Sequence, residues 1–291
     1  MSADAKPVVG FIGLGRMGGL MAKNIAAAGF DVVAYDLNAD ALAAVVDAGA
    51  GAARDAADVV ARGEVVMTSL PSSAVTVKVT EGELLPRARA GQVFLDMGTT
   101  EAPETRRLAA AFEAKGAAFL DAPVSGRPGP GMRVFVGGDR AAFERCRSVL
   151  AATAEAERVV YCGASGTGQA VKATNQLGMG LVNAALMESV FAGVRAGADV
   201  DAIIQGVGGD GGFRGMIANV ARRVKEGKGN DVYIKFPELA YFLTEARARG
   251  YELPLTTALL AFTENGPRNW VDNMERPRVA FWHQLMEAKK E

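Results

Sequence analysis

The stretch "VVGFIGLGRMGGLMAKNIAAAGFDVVAYD", residues 8–36, decides the fold. Residues 8–14 are a short apolar run, rich in β-branched side chains, that ends in glycines. Residues 19–30 have helical composition and close at Gly29, a residue suited to a helix C-terminus. Residues 31–36 read as a second strand. Between the first strand and the helix lies Gly13-x-Gly15-x-x-Gly18. In such a loop the first glycine permits a tight turn. The second lets the backbone approach a pyrophosphate, and the third lets the helix pack on the strand. Free N–H groups and the helix dipole then hold the anion. Asp36 closes the second strand, and a carboxylate there binds a ribose 2′-hydroxyl and repels a 2′-phosphate. No arginine follows in "DLNADAL", so NAD is expected over NADP.

Working outward, the alternation continues. Residues 65–71, 93–98, 117–124 and 133–138 are further short apolar runs, and helical stretches such as 41–49 and 104–116 lie between several of them. Strands alternating with helices require crossover connections, hence a mainly parallel sheet with helices on both faces. After about residue 165 the texture changes. Residues 167–196 read as one helix, about 45 Å long at the standard rise. From Thr174 through Met187 it has no charged residue, which predicts burial on most sides. Segments 199–208, 213–226, 237–249, 255–265 and 278–290 also read as helices, with Asp199 as an N-cap and Pro237 in a first turn. The expected organisation is an α/β Rossmann-type domain over 1–165 and an all-α domain over 166–291, joined by the long helix.

Charge and composition narrow the function classes. With 32 Lys and Arg against 33 Asp and Glu, the chain lacks the basic excess that nucleic-acid or membrane-surface binding by bulk charge requires. Two cysteines, Cys146 and Cys162, cannot build a disulfide framework or a cysteine zinc site, and they suit a reducing cytosol. The uncharged stretches fall short of the roughly 18 apolar residues of a membrane span. The N-terminal run lacks a signal-peptide pattern. A soluble, cytoplasmic protein is expected. The single histidine, His283, has no partner at metal-ligand spacing, so it reads as a helix-surface or oligomer-contact residue. Residues 221–228 read as a solvated basic face. Tyr241, Phe242, Trp270 and Trp282 read as core or contact residues. Phe213 follows the glycine-rich "GVGGDGG", expected to be a mobile loop.

One lysine is out of place in this pattern. "GASGTGQAVKATNQ", residues 163–176, sets Lys172 among small uncharged residues at the start of the long helix. A buried ammonium is costly and tends to pair, to lower its pKa, or to do chemistry. Spacing alone leaves two readings open: a snorkelling lysine at a helix start or a general acid/base.

Taken together, the motifs resemble the β-hydroxyacid dehydrogenase family, which includes 3-hydroxyisobutyrate dehydrogenase and tartronate semialdehyde reductase. "GFIGLGRMG" is similar to its cofactor signature, "DAPVSG" (121–126) to its substrate loop, and "GTGQAVKATNQ" to its catalytic helix. "LP" (70–71) and "DMGTT" (96–100) are similar to its cofactor-side loops. The resemblance implies a nicotinamide-dependent oxidoreductase that interconverts a small β-hydroxyacid and its carbonyl form. Lys172 would be the general acid/base. Ser125, Gly126 and Asn175 would bind substrate; Arg127, which stands where the family has a glycine, reads either as a binder of a strong or second anionic group or as an exposed loop arginine in a surface ion pair. Gly13, Leu14, Gly15, Arg16, Met17, Gly18, Asp36, Leu37, Leu70, Pro71, Thr99 and Lys235 would bind the cofactor. It also implies a homodimer or homotetramer built on the helical domain. The chain departs from the family at "IKFPELA" (234–240), where Phe236 and Pro237 follow Lys235. It departs again at "SGRPGPG", where Arg127 replaces a glycine in a shortened loop. Two alternatives stay open: an imine-reducing relative, against which Lys172 counts, and a catalytically silent module that binds cofactor and partner proteins.

Overall fold

In a computed structural model of the chain, residues 6–209, 211–226 and 238–265 are described. The chain divides into two compact units, Met1–Ala173 and Thr174–Glu291.

Unit 1 carries β1 (Val9–Ile12), α1 (Gly18–Ala27), β2 (Val32–Tyr35), α2 (Ala39–Val46), β3 (Gly51–Ala52), α3 (Ala56–Arg62), β4 (Val65–Thr68) and α4 (Ser73–Val79). These are followed by β5 (Val93–Asp96), α5 (Ala102–Glu113), β6 (Ala118–Asp121), β7 (Val124–Ser125), β8 (Arg133–Gly137), α6 (Arg140–Ala151) and β9 (Val159–Gly163). They form one nine-stranded sheet in the order β3-β2-β1-β4-β5-β6-β8-β7, with β9 paired to β8. From β3 to β6 every pairing is parallel, whereas β8 runs antiparallel to β6 and β7. The order reverses at β1, which has β2 on one side and β4 on the other. That switch point opens a crevice outside the strand ends.

The apolar strand runs have a period of two. Val9, Phe11, Val65, Met67, Val93 and Leu95 enter one core layer with Met21, Ile25, Phe143 and Leu150. Ile12, Val66 and Phe94 enter a second layer with Val59, Leu108 and Phe112. Helices thus cover both faces of the sheet, as the alternation of elements requires. Cys146 lies in the first layer, where burial pushes its thiol up to about 12, and both cysteines are free.

The long helix forms as α7, Thr167–Arg195, and contributes to both units. Its uncharged run is less buried than expected. Gln176, Gly180, Leu186 and Met187 are buried, but Met179 and Val182 are 44% and 40% exposed, so an apolar stripe faces outward from this single chain. Counting only uncharged residues also understates its length, because apolar sequence continues past Glu188. By length and composition alone α7 could cross a membrane. Its first turn, however, is bound into unit 1. Leu186, Met187, Val190 and Val194 pack with Val200, Val220 and Ala221 in the core of unit 2.

The remaining described elements of unit 2 are α8 (Val200–Val207), α9 (Gly212–Lys225), α10 (Leu239–Arg249) and α11 (Pro254–Asn265). Asp199 caps α8 by accepting from Asp201 N–H at 2.7 Å. Phe213 lies in the first turn of α9, within the helix expected over 213–226, and is 68% exposed. Phe242 is buried on α10. Lys235, Pro237, Trp270, Trp282, His283 and the segment 278–290 lie outside the described residues.

Phe112 is fully buried, its ring 4.4 Å from that of Phe94 and 5.3 Å from that of Phe119. Phe112→Ala is expected to lower the stability of unit 1 by about 3–5 kcal/mol, read from denaturant unfolding.

Candidate functional site

The expected site residues of unit 1 follow the C-terminal ends of the parallel strands, along one edge of the sheet. Gly13 follows β1, Asp36 and Leu37 follow β2, Leu70 and Pro71 follow β4, and Thr99 follows β5. Ser125, Gly126 and Arg127 come after β6.

The phosphate loop is set by close contact. Gly13 has φ 89°, a left-handed conformation that a side chain resists. A Cβ on Gly18 would overlap the Gly13 carbonyl oxygen, and a Cβ on Gly13 would overlap that of Ser69 while reaching 3.1 Å from Leu70 Cδ2. The loops after β1 and β4 are therefore in contact across the switch point. Gly15 differs: a Cβ there would meet nothing within 4 Å, so its exposed backbone faces open space. Arg16 is exposed and Met17 half-buried beside it, and α1 begins at Gly18. Asp36 braces the loop from the neighbouring strand. Its Oδ2 accepts from Leu14 N–H at 2.5 Å and its Oδ1 from Asn38 N–H at 2.7 Å. Leu37 is 92% exposed, an apolar side chain left bare beside that carboxylate. An open cradle at Gly15, a helix N-terminus behind it and a carboxylate at the end of β2 fit a dinucleotide.

Two further carboxylates organise the rest of the edge. Asp96 and Asp121 end β5 and β6, are register partners, and are fully buried. Asp96 Oδ1 accepts from Gly98 N–H at 3.0 Å and from Thr68 Oγ1 at 3.3 Å, and its Oδ2 accepts from Thr100 Oγ1 at 2.6 Å. These bonds shape the 96–100 loop around Thr99. Asp121 Oδ1 accepts from Gly166 N–H at 2.8 Å and its Oδ2 from Gln169 N–H at 3.0 Å, at the start of α7. Burial pushes both carboxyl pKa values up, and the surrounding donors pull them back. Neither aspartate was expected as a site residue, although each stands where an apolar run meets a loop, in "FLDMG" and "FLDAP". Gln169 ties the same turn of α7 to the loop by donating Nε2–H to the Gly98 carbonyl at 3.1 Å.

Lys172 is half-buried on α7, one turn beyond this anchor. Asn175 lies three residues further, past the division between the units, with its Nδ2 3.9 Å from Met179 Sδ. Ser125 pairs with Arg133 across the β7–β8 hairpin. Directly opposed residues share a face; Val124 and Val134 turn toward the core, so Ser125 and Arg133 turn away from it. Arg127 is exposed in the turn of the hairpin. Neither the Arg127 nor the Arg133 guanidinium has a hydrogen bond or ion pair among the described residues. Arg133 is a second basic group that the motif did not draw attention to.

Fold and loop together define a Rossmann-type dinucleotide-binding domain. Residues 8–164 match the family model for the NAD binding domain of 6-phosphogluconate dehydrogenase. Bovine mitochondrial 3-hydroxyisobutyrate dehydrogenase is 35% identical over 204 residues, 68% of this chain, and the aligned part spans 60% of that relative's length. The 2-(hydroxymethyl)glutarate dehydrogenase of Eubacterium barkeri is 31% identical over 268 residues, covering 89% of this chain and 88% of the relative. A solved 3-hydroxyisobutyrate dehydrogenase from Salmonella typhimurium superposes with a TM-score of 0.72 at 26% identity, covering 97% of this chain and all of that one. The chain belongs to the β-hydroxyacid dehydrogenase family, and unit 1 carries its NAD-binding domain.

Asp36→Ala is expected to weaken NAD binding ten-fold or more, by loss of about 1.5–3 kcal/mol of charged hydrogen bonding, and to relax discrimination against NADP. Binding and kcat/KM with each cofactor test this, and a wild-type protein that already prefers NADP would sink it.

Proposed function

We propose that this protein is an NAD-dependent dehydrogenase that interconverts a small β-hydroxyacid, or a similar anionic alcohol, and its aldehyde or ketone. The observation that carries the reading is Lys172, half-buried on a helix whose first turn is bonded to the ligand edge of an NAD-binding sheet. Both curated relatives named above are dehydrogenases of hydroxyacids by name, which supports the reaction class.

Bound NAD supplies the hydride acceptor, or as NADH the donor, for the carbon that bears the oxygen. The chain's own residues have three tasks. Lys172 takes the proton from the hydroxyl in oxidation and returns it in reduction, where its ammonium also polarises the carbonyl. Asn175, at i+3 from Lys172, orients the lysine or the substrate oxygen. The Ser125 hydroxyl and the backbone of Gly126 receive a carboxylate, and Arg127 adds planar, bidentate recognition of an anion. Arg133, opposite Ser125, supports an electropositive hairpin suited to a strong or second anionic group. Lys235 is assigned to the cofactor, and Gly13, Leu14, Gly15, Arg16, Met17 and Gly18 to the pyrophosphate. Asp36 and Leu37 take the adenosine end, and Leu70, Pro71 and Thr99 the walls of the crevice. We assign 1–165 to cofactor binding and 166–291 to substrate binding and self-association as a homodimer or homotetramer. The exposed Met179 and Val182 of α7 support the last point. Two free thiols support a reducing, cytoplasmic setting.

Lys172→Ala is expected to lower kcat by about 10²–10⁴-fold and to leave NAD affinity nearly unchanged. Absorbance at 340 nm on a panel of 3-hydroxyacids tests this, and near wild-type kcat in the variant would refute the acid/base role. Arg127→Gly restores the residue common in the family. It is expected to raise KM for the anionic substrate ten-fold or more, for a loss of about 1.5–3 kcal/mol. An unchanged KM across carboxylate, phosphate and sulfonate substrates would put Arg127 outside the pocket.

A further inference from the structure

The start of α7 supplies none of its own capping. Its first turn holds no acidic residue, Gly166 before it has no side chain, and Thr167 Oγ1–H is donated to the Ala164 carbonyl at 2.6 Å. The first N–H groups of a helix have no partner within the helix and carry the positive end of its dipole. Thr167 N–H is met locally by the Ala164 carbonyl at 3.1 Å, whereas the amides on either side of it, of Gly166 and Gln169, are met from far away in sequence. The carboxylate of Asp121, 45 and 48 residues upstream, takes Gly166 N–H on one oxygen and Gln169 N–H on the other. Both oxygens are accepting at once, so the arrangement suits the ionised acid, which has no proton of its own to place against an N–H.

The surroundings leave this carboxylate little room to move. A Cβ on Gly137 would come 2.7 and 2.8 Å from its two oxygens. A Cβ on Gly168 would overlap the Phe135 carbonyl and lie 2.8 Å from Asp121 Oδ2. Two glycines, one on β8 and one on α7, therefore let strand and helix close around one side chain. The amide of Gln169 adds a second tie, to Gly98. Three residues after Gln169, on the same face and about 4.5 Å along the axis, comes Lys172.

We infer that Asp121 is a positioning residue for the reaction: by gripping Gly166 and Gln169 it sets the rotation and height of α7, and so the place of the Lys172 ammonium, relative to the strand ends. This rests on the reading of Lys172 as the acid/base. Asp121 touches neither substrate nor cofactor in this account. Its effect passes through the first turn of the helix alone.

That route can be isolated with a double-mutant cycle. Asp121→Asn puts an amide NH2 where one N–H now finds an oxygen, and removes the charge with little change of shape. Its kcat and its Kd for NAD are measured in the wild-type and the Lys172→Ala backgrounds, with thermal melting as the check on folding. The expected result is a loss of kcat of about ten-fold or more with Lys172 present and less than about two-fold with Lys172→Ala, with NAD affinity unchanged in both. A purely structural role would lower kcat equally in the two backgrounds. That result, or no loss with Lys172 present, would overturn the inference while leaving the dehydrogenase reading intact. A Lys172→Ala enzyme with wild-type kcat would overturn the inference together with the acid/base role of Lys172 on which it rests. If Asp121→Asn does not fold, Gln169→Met, which loosens the same turn by removing only the tie to Gly98, is read by the same two ratios.

Discussion

A buried carboxylate is stable only while donors surround it, because moving the charge out of water costs more than one hydrogen bond returns. Asp96 and Asp121 impose that condition side by side at the ends of β5 and β6. Their donors are the Thr68, Gly98 and Thr100 groups in one case and the Gly166 and Gln169 amides in the other. Meeting the condition thus fixes the 96–100 loop and the first turn of α7. The two segments are also bonded to each other through Gln169 and Gly98. The wall of the crevice on this side is held by polar contacts rather than by apolar packing. It is consequently directional, since a hydrogen bond fixes an orientation that a hydrophobic contact leaves loose.

On the other side of the switch point the constraint is steric. Gly13 and Gly18 let backbone meet backbone without a side chain between, and Asp36 clips Leu14 to the neighbouring strand. Close contact inside the loop and open space outside Gly15 are the two halves of one design. A rigid inner surface keeps the N–H groups aimed outward, where an anion can reach them. The site is then bounded by a glycine-packed loop on one flank and a carboxylate-pinned helix on the other.

The parts of this arrangement that could be read from sequence are those whose causes are local. A period-two apolar run and a glycine loop before a helix each carry their own signal, and β1, β2, β4, β5, β6 and β8 form within the runs expected for them. The two-residue strands β3 and β7 are too short to show a period. β9, "VVYCG", is strand-like in composition but lies outside the runs expected as strands, three residues before α7 begins. The burial of α7 was overestimated because an absence of charge marks an apolar surface without saying what covers it. Lys172 was legible as an oddity of composition, whereas the hold of Asp121 on α7 was not. The bond joins residues 45 and 48 positions apart, and no local pattern records it. Only the packing of β6, β8 and α7 brings them together.

One consequence concerns the exchange of backbone protons with water. The leading amides of a helix ordinarily exchange fast, since they lack an acceptor along the axis, and protection rises toward the middle. In α7 the Gln169 amide and, just ahead of the helix, the Gly166 amide end on a fully buried carboxylate. Opening either one exposes the charge of Asp121 or leaves it unsolvated, which makes the opening a cooperative event of the sheet edge rather than fraying. The beginning of this helix should therefore keep its protons as long as the centre of a strand does.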